Sequence, residues 1–260
     1  MYPSLPRPTL FGHRGASAHA PENTLAAFEL AIQHGADAIE LDTKLSVDGY
    51  VIVIHDQTVD RTTDGSGEVC KLPLSELHRL DAGSFFDIAY RGERIPTLNE
   101  VFEVVGRRTF INVELTNYTS PNDALPEKVV ELIKHHNLNK RILFSSFNPQ
   151  TLRRAAALLP EVPCGLLALP KLAGWLPRSW IGQYLVAYQA LHPEKGDVTA
   201  RMIQNAHRRG RRIHAWTVNE AADLRRMFAL GVDGVFTDDP RLARKILGKT
   251  GHPSYMTKTS

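Results

Sequence analysis

Two hundred and sixty residues with 31 basic and 28 acidic side chains, a formal charge of +3 and two cysteines make an ordinary globular composition. At 43% apolar and 23% charged, it argues against a disordered chain, a collagen-like repeat or a disulfide-stapled scaffold. Cys70 and Cys164 lie far apart and in no zinc spacing, no apolar run has membrane-spanning length, and prolines interrupt the N-terminal segment where a signal peptide needs its apolar stretch. The expectation is a reduced, cytoplasmic chain without stable membrane insertion.

Short apolar or β-branched runs then alternate with segments of helical period from one end to the other. In chain order the reading is strand 9–13, helix 23–34, strand 38–42, helix 98–105, strand 109–115, helix 125–136, strand 142–146, helix 149–158, strand 164–169, helix 171–183, strand 185–191, helix 199–208, strand 212–218, helix 220–229, strand 234–237 and helix 240–247. Eight strands alternating with eight helices predict an α/β fold, a single (β/α)8 barrel over residues 1–260, with a doubly wound open sheet as the rival. Residues 50–55 read as a ninth strand. Asp48-Gly49 favours a two-residue hairpin turn, so that Val47 faces Tyr50, Leu45 faces Ile52 and Asp42 faces His55. Residues 48–95, rich in turns with one short helix at 74–80, are thus expected as a small insertion after strand two without a separate core.

Strand ends are where a barrel displays its chemistry. The first strand ends in His13-Arg14. The second carries Glu40 and Asp42 on one face, with Lys44 continuing it, and the third carries Asn112 and Glu114. Carboxylates crowded on one face repel unless a cation or a proton holds them. Glu40, Asp42 and Glu114 form an all-oxygen set suited to one hard divalent ion, Mg²⁺ or Ca²⁺, and ill suited to zinc. The hairpin returns His55 beside this group, opposite His13. Two imidazoles can act as general acid and general base near neutral pH, and Arg14 offers a permanent charge whose fork fits two phosphate oxygens. Hard cation, paired histidines and arginine together fit phosphodiester hydrolysis.

The segments HRGASAHAPENTLAAF, IELDTKLSVDGYVIVIHD, INVEL, SSFNP, AWTVN and DGVFTDDP, in that order along nearly the whole chain, resemble the glycerophosphodiester phosphodiesterase family. The resemblance implies a metal-dependent barrel that hydrolyses glycerophosphodiesters, such as glycerophosphocholine, to sn-glycerol 3-phosphate and an alcohol. It assigns His13 and His55 as the acid/base pair, Arg14 as phosphate ligand, and Glu40, Asp42 and Glu114 as metal ligands. It further implies that Glu22 orders the site around His13 and Arg14, and that Trp216 is an aromatic at the mouth covering the glycerol carbons. One position departs from the family: the lysine common two residues after the third acid is Thr116 here. Lys44, on the Glu40/Asp42 face, is the candidate to replace that charge at the phosphate.

Two other features are open to more than one reading. The basic run 207–212 straddles a glycine helix stop, which favours a solvated helix end over a nucleic-acid contact. Segment 169–188 holds Trp175, Trp180, Tyr184 and Tyr188, expected as a buried barrel helix, with a lid, a homo-oligomer face or a lipid-touching surface as alternatives. Exposure of that segment would favour lysophospholipids as substrates, in a phospholipase D manner. A noncatalytic phosphate-binding barrel is the remaining rival.

Overall fold

The structure, a computed structural model, describes residues 5–175 and 186–249. Eight parallel strands close on themselves: β1 (Thr9–Gly12), β2 (Ala38–Leu45), β4 (Phe110–Leu115), β5 (Ile142–Ser146), β6 (Cys164–Ala168), β7 (Ala190–Pro193), β8 (Arg212–Ala215) and β9 (Gly234–Thr237). Their order around the ring is that of the sequence, with β1 bonded to both β9 and β2. Strand β3 (Val51–Val53) is the exception. It runs antiparallel along the outer half of β2, beyond the point where β1 ends.

The strands are buried on both faces, and the alternation of the two faces explains their composition. Along β2, Ile39 and Leu41 face outward into the main core with Val113 and Leu115 of β4, against α1 (Leu25–Gln33), α3 (Leu98–Val105) and α4 (Leu125–His135). The other face lines the barrel. There Phe11, Ala38, Leu143 and Phe236 pack as an apolar plug, closed from one end by Leu5. Higher on that interior the apolar residues give way to Glu40, Asp42, Asn112 and Glu114, so β2 and β4 bring their polar groups to the rim.

Helix starts are fixed by local chemistry. Thr24 caps α1 by accepting from the Ala27 amide, and Thr97 with Glu100 forms a reciprocal capping box on α3. Asn148, Thr199 and Asp239 cap α5 (Pro149–Leu158), α6 (Ala200–His207) and α8 (Pro240–Lys249) in the same way, while α7 (Ala221–Leu230) ends on Gly231 at φ 79°.

Three expectations need correction. The hairpin closes one residue out of the expected register: Lys44 pairs with Ile52 and Leu45 with Val51. The turn is a three-residue loop in which Gly49, at φ 81°, takes the left-handed position and Ser46 closes the ladder with Tyr50. Asp42 therefore meets Ile54, whose amide donates to its carbonyl, and His55 reaches the rim only because the chain has left the strand by then. Secondly, β7 begins at Ala190, not at residue 185. Val186 and Tyr188 are buried without joining the ladder, whose bonds start with the Gln189 amide to Cys164; burial, not pairing, made that run apolar. Thirdly, the insertion does pack a satellite core of its own. Ile52, Ile54, Val59, Val69, Leu77, Ala82 and Ile95 cluster apart from the main core, around a helix α2 that is only Leu74–Leu77. Of the expected helix at 171–183, the described part is a 3-10 turn, Lys171–Gly174; Trp180 and Tyr184 lie outside the described residues.

Candidate active site

The parallel register of β2 and β4 sets Glu40 beside Asn112 and Asp42 beside Glu114. Carboxylate oxygens of Glu40, Asp42 and Glu114 lie within 4.8 Å of one another. They share a cavity of about 130 Å³ with His13, Arg14, His55 and Trp216. Every site residue predicted from the sequence except Glu22 and Lys44 lines it. A larger cleft of about 620 Å³ between the hairpin and α3 and α4 contains none of them.

Arg14 is placed by the backbone. It sits at φ 54°, followed by Gly15 at φ 90°, and the Asn23 amide, also in a left-handed residue, donates back to the Arg14 carbonyl. A Cβ on Gly15 would stand 2.6 Å from the Ala27 backbone, so only glycine lets α1 approach this turn. The Arg14 amide donates to Glu40 Oε2 at 2.9 Å, its Nη1 to Glu22 Oε1 at 2.9 Å, and its Nε lies 3.3 Å from Asp42 Oδ2. Glu22 also receives both terminal nitrogens of Arg61 at 2.8 Å. It thus bridges Arg14 and Arg61 from outside and does not line the cavity.

Each histidine is tied to a carboxylate. His13 Nδ1 is 2.7 Å from Asp238 Oδ1, and Asn219 donates to the other oxygen of Asp238 while accepting from its amide. His55 Nδ1 is 2.6 Å from Asp56 Oδ1, and Asp56 is gripped in turn by Arg61. The hydrogen bond from Arg61, with His55 beside it, holds the Asp56 carboxyl far below its usual range. Burial opposes ionisation of Asp238, yet His13 and Asn219 outweigh it and keep it a carboxylate. In both pairs the bound Nδ1 leaves Nε2 as the nitrogen able to exchange a proton, the arrangement that fixes a catalytic imidazole.

The three acids differ sharply. Glu40 and Glu114 are raised, first by burial and then by the Asp42 charge, Glu114 to about 8. Asp42 stays low despite its burial because Arg14, the histidines and the Asn23 amide group, 2.9 Å away, stabilise its charge. Glu40 Oε1 is buried and meets no hydrogen-bond donor, while Glu114 accepts from the Tyr118 hydroxyl at 2.7 Å. An orphaned buried oxygen among three such acids fits a hard divalent cation.

Lys44 is not placed as expected. Its ammonium is buried and donates to Thr116, to Oγ1 at 2.7 Å and to the carbonyl at 3.3 Å, beside a different cavity under the hairpin. The residue that departs from the family pattern is therefore the one that engages the candidate replacement. Trp216 does stand at the mouth: its Nε1 donates to the His192 carbonyl at 2.7 Å and its ring meets the edge of Phe147. Sequence reasoning missed Asp56, Arg61, Tyr118, Asn219 and Asp238. Asn219 and Asp238 lay inside AWTVN and TDDP, and Asp56 follows His55 directly. Arg61 had no signal, because only the folded insertion brings it to Glu22.

The basic run at 207–212 serves the fold. His207 ends α6 and pairs with Asp233 at 2.7 Å, Arg211 stacks over Tyr188 at 4.2 Å, and Arg212 is buried. Leu169 and Trp175 are exposed, against the expectation of a buried helix there.

Three crowded carboxylates, a buried arginine and carboxylate-held imidazoles at the C-terminal rim of a (β/α)8 barrel fit a phosphoric diester hydrolase. The sequence matches the Glycerophosphoryl diester phosphodiesterase family over residues 13–242, and the chain belongs to that family. It is 39% identical over 243 residues to a glycerophosphodiester phosphodiesterase of Caldanaerobacter subterraneus subsp. tengcongensis, covering 93% of this chain and 98% of that one. It is 37% identical over 241 residues to a Bacillus altitudinis glycerophosphodiester phosphodiesterase, covering 91% of this chain and 97% of the other. Among solved structures, an Oleispira antarctica phosphodiesterase in complex with the product sn-glycerol-3-phosphate superposes with a TM-score of 0.84 at 35% identity, covering 93% and 97% of the two chains.

Proposed function

We propose that this protein hydrolyses glycerophosphodiesters to sn-glycerol 3-phosphate and an alcohol, with His13 and His55 moving the protons. The observation that carries the reading is the convergence of two carboxylate-anchored histidines and Arg14 on the three-acid cluster in one cavity. Glu40, Asp42 and Glu114 would hold one Mg²⁺ or Ca²⁺. When bound, such an ion supplies Lewis-acid stabilisation of phosphate charge and lowers the pKa of a hydroxyl or water beside it.

The chain's own groups do the rest. Arg14, held by Glu22 and Glu40 and close to Asp42, presents a charge fixed in place before substrate arrives, which costs no reorganisation as negative charge grows on the phosphate. One imidazole takes the proton of the attacking hydroxyl at Nε2 and the other gives a proton to the departing alkoxide. Trp216 and Phe147 form an aromatic wall at the mouth for the glycerol carbons. With Lys44 bound to Thr116, Arg14 would carry the phosphate charge beside the ion that the three acids would hold.

Among the described residues no helix is long and apolar enough to cross a membrane, and Cys70 and Cys164 are both free thiols. The enzyme is proposed to act on small substrates in the cytoplasm. Exposed Leu169 and Trp175 support lysophospholipids as a second substrate class. Turnover of glycerophosphocholine and of dispersed lysophosphatidylcholine by wild type, His13→Ala and His55→Ala tests the proposal. Wild type is expected to favour the soluble diester, and each variant to lose at least about 10²-fold in kcat. Full activity in either variant contradicts the proton roles, and a preference for the lysolipid replaces the substrate.

A further inference from the structure

A second group of possible metal ligands lies outside the active site. His19 belongs to the loop after β1, His34 ends α1, and Asp239 starts α8; one donor atom from each falls within 4.8 Å of the other two. His19 Nε2 is buried and lies 3.0 Å from Asp239 Oδ2, an ion-pair contact outside hydrogen-bond alignment. His34 Nδ1 is also buried, without a hydrogen-bond partner. One ring nitrogen of each histidine therefore stands within 4.8 Å of a carboxylate oxygen of Asp239.

The three residues are held independently of any ion. Asp239 Oδ1 accepts from the Leu242 amide at 2.9 Å as the α8 cap, which leaves Oδ2 turned toward the histidines. The His19 carbonyl accepts from the Tyr90 hydroxyl at 2.9 Å, and the His34 amide closes the last turn of α1. The two rings meet edge to face, 5.3 Å between centroids.

We propose that His19, His34 and Asp239 form a second metal site, selective for a borderline transition-metal ion of the zinc class. Two nitrogens and one oxygen suit Zn²⁺, with a water as fourth ligand, whereas the three-carboxylate rim offers oxygen alone. Tetrahedral ligands at about 2.0–2.2 Å from an ion stand roughly 3.3 Å apart, so modest side-chain rotation closes the set. Asp239 follows Asp238, the partner of His13, and a bound ion would clamp the segment that holds that partner to α1. This site does not depend on the proposed reaction.

Equilibrium dialysis of the full chain against micromolar ZnCl₂ with millimolar MgCl₂ at pH 7.5 tests the assignment. Wild type and a Glu40→Gln/Asp42→Asn variant, crippled at the rim, are each expected to retain one zinc per chain. Zinc 100-fold above Kd should raise wild-type Tm by roughly 5 °C or more. His34→Ala is expected to bind zinc at least tenfold more weakly while keeping the wild-type circular dichroism and zinc-free Tm. If that variant misfolds, His19→Gln, on the loop, carries the same comparison. Retention by folded His34→Ala or His19→Gln equal to wild type, loss of zinc in the rim variant alone, or no zinc retained beside Mg²⁺ overturns the proposal.

Discussion

His13 and Asp238 are a pair whose members lie at opposite ends of the chain, joined by a 2.7 Å contact where β1 and β9 close the barrel. The carboxylate fixes the ring of His13, and on the proposed mechanism it bears on proton transfer more than on substrate binding. Asp238→Asn should lower kcat by about 10²–10⁴-fold with a smaller change in KM, as checked by steady-state kinetics. Equal kcat would make the pair structural only. His13, Arg14, His55 and the three acids were legible in the sequence because strand periodicity and the barrel rim constrain where such residues point. Their outer braces were not: the Glu22–Arg61–Asp56 chain crosses from the α1 entry to the insertion, and no periodicity encodes that meeting. Lys44 lies off the shared cavity for a related reason. Sharing a strand face with Asp42 fixes the direction of its Cβ, but a long side chain goes where its ammonium finds acceptors, here Thr116.

At the scale of elements, the turn between β1 and α1 is where fold and chemistry are least separable. Gly15 lets α1 press against the loop that holds Arg14 in a left-handed conformation. Gly15→Ala combines a disfavoured φ with a 2.6 Å clash against the Ala27 backbone. It should cost about 1–3 kcal/mol of stability and reduce activity further than the stability loss accounts for, read from denaturant unfolding and kcat/KM together. A fully active, unshifted variant would show that the turn does not position Arg14. The hairpin carries the complementary lesson. Asp48-Gly49 announced a turn, but Gly49 sits at the third loop position, and moving the glycine by one place slips the register by one residue. His55 still reaches the cavity because the chain leaves β3 after Val53 and the satellite core under Ile52 and Ile54 fixes its exit.

For the molecule as a whole, alternation of strands and helices made the barrel legible, since eight βα units allow few other closed cores. The run at 185–191 was misplaced because a buried loop and a strand look alike in hydropathy. The barrel interior also joins stability to the rim acids. A carboxyl raised by folding stabilises the fold while protonated, so the Glu114 contribution is complete below its ordinary value of 4.5 and is lost as pH rises toward about 8. Glu40 runs in the same direction, whereas Asp42, held low, loses its contribution only under acid. Without a divalent ion the protein should therefore become less stable from weakly acidic pH to pH 8. Mg²⁺ or Ca²⁺, taking the place of those protons, should raise Tm most at the alkaline end. Thermal unfolding with EDTA or with either ion across this range reads it directly, and an ion-independent Tm at pH 8 contradicts the ligand assignment.

The most direct test of the central claim is release of sn-glycerol 3-phosphate from glycerophosphocholine by the purified protein, measured with EDTA and then with Mg²⁺ or Ca²⁺ restored. The predicted result is turnover that stops in EDTA, returns with one of the two ions, and is absent in Glu40→Gln/Asp42→Asn under every condition. Sustained release in EDTA, or none with any of these ions, would contradict a diesterase built on Glu40, Asp42 and Glu114.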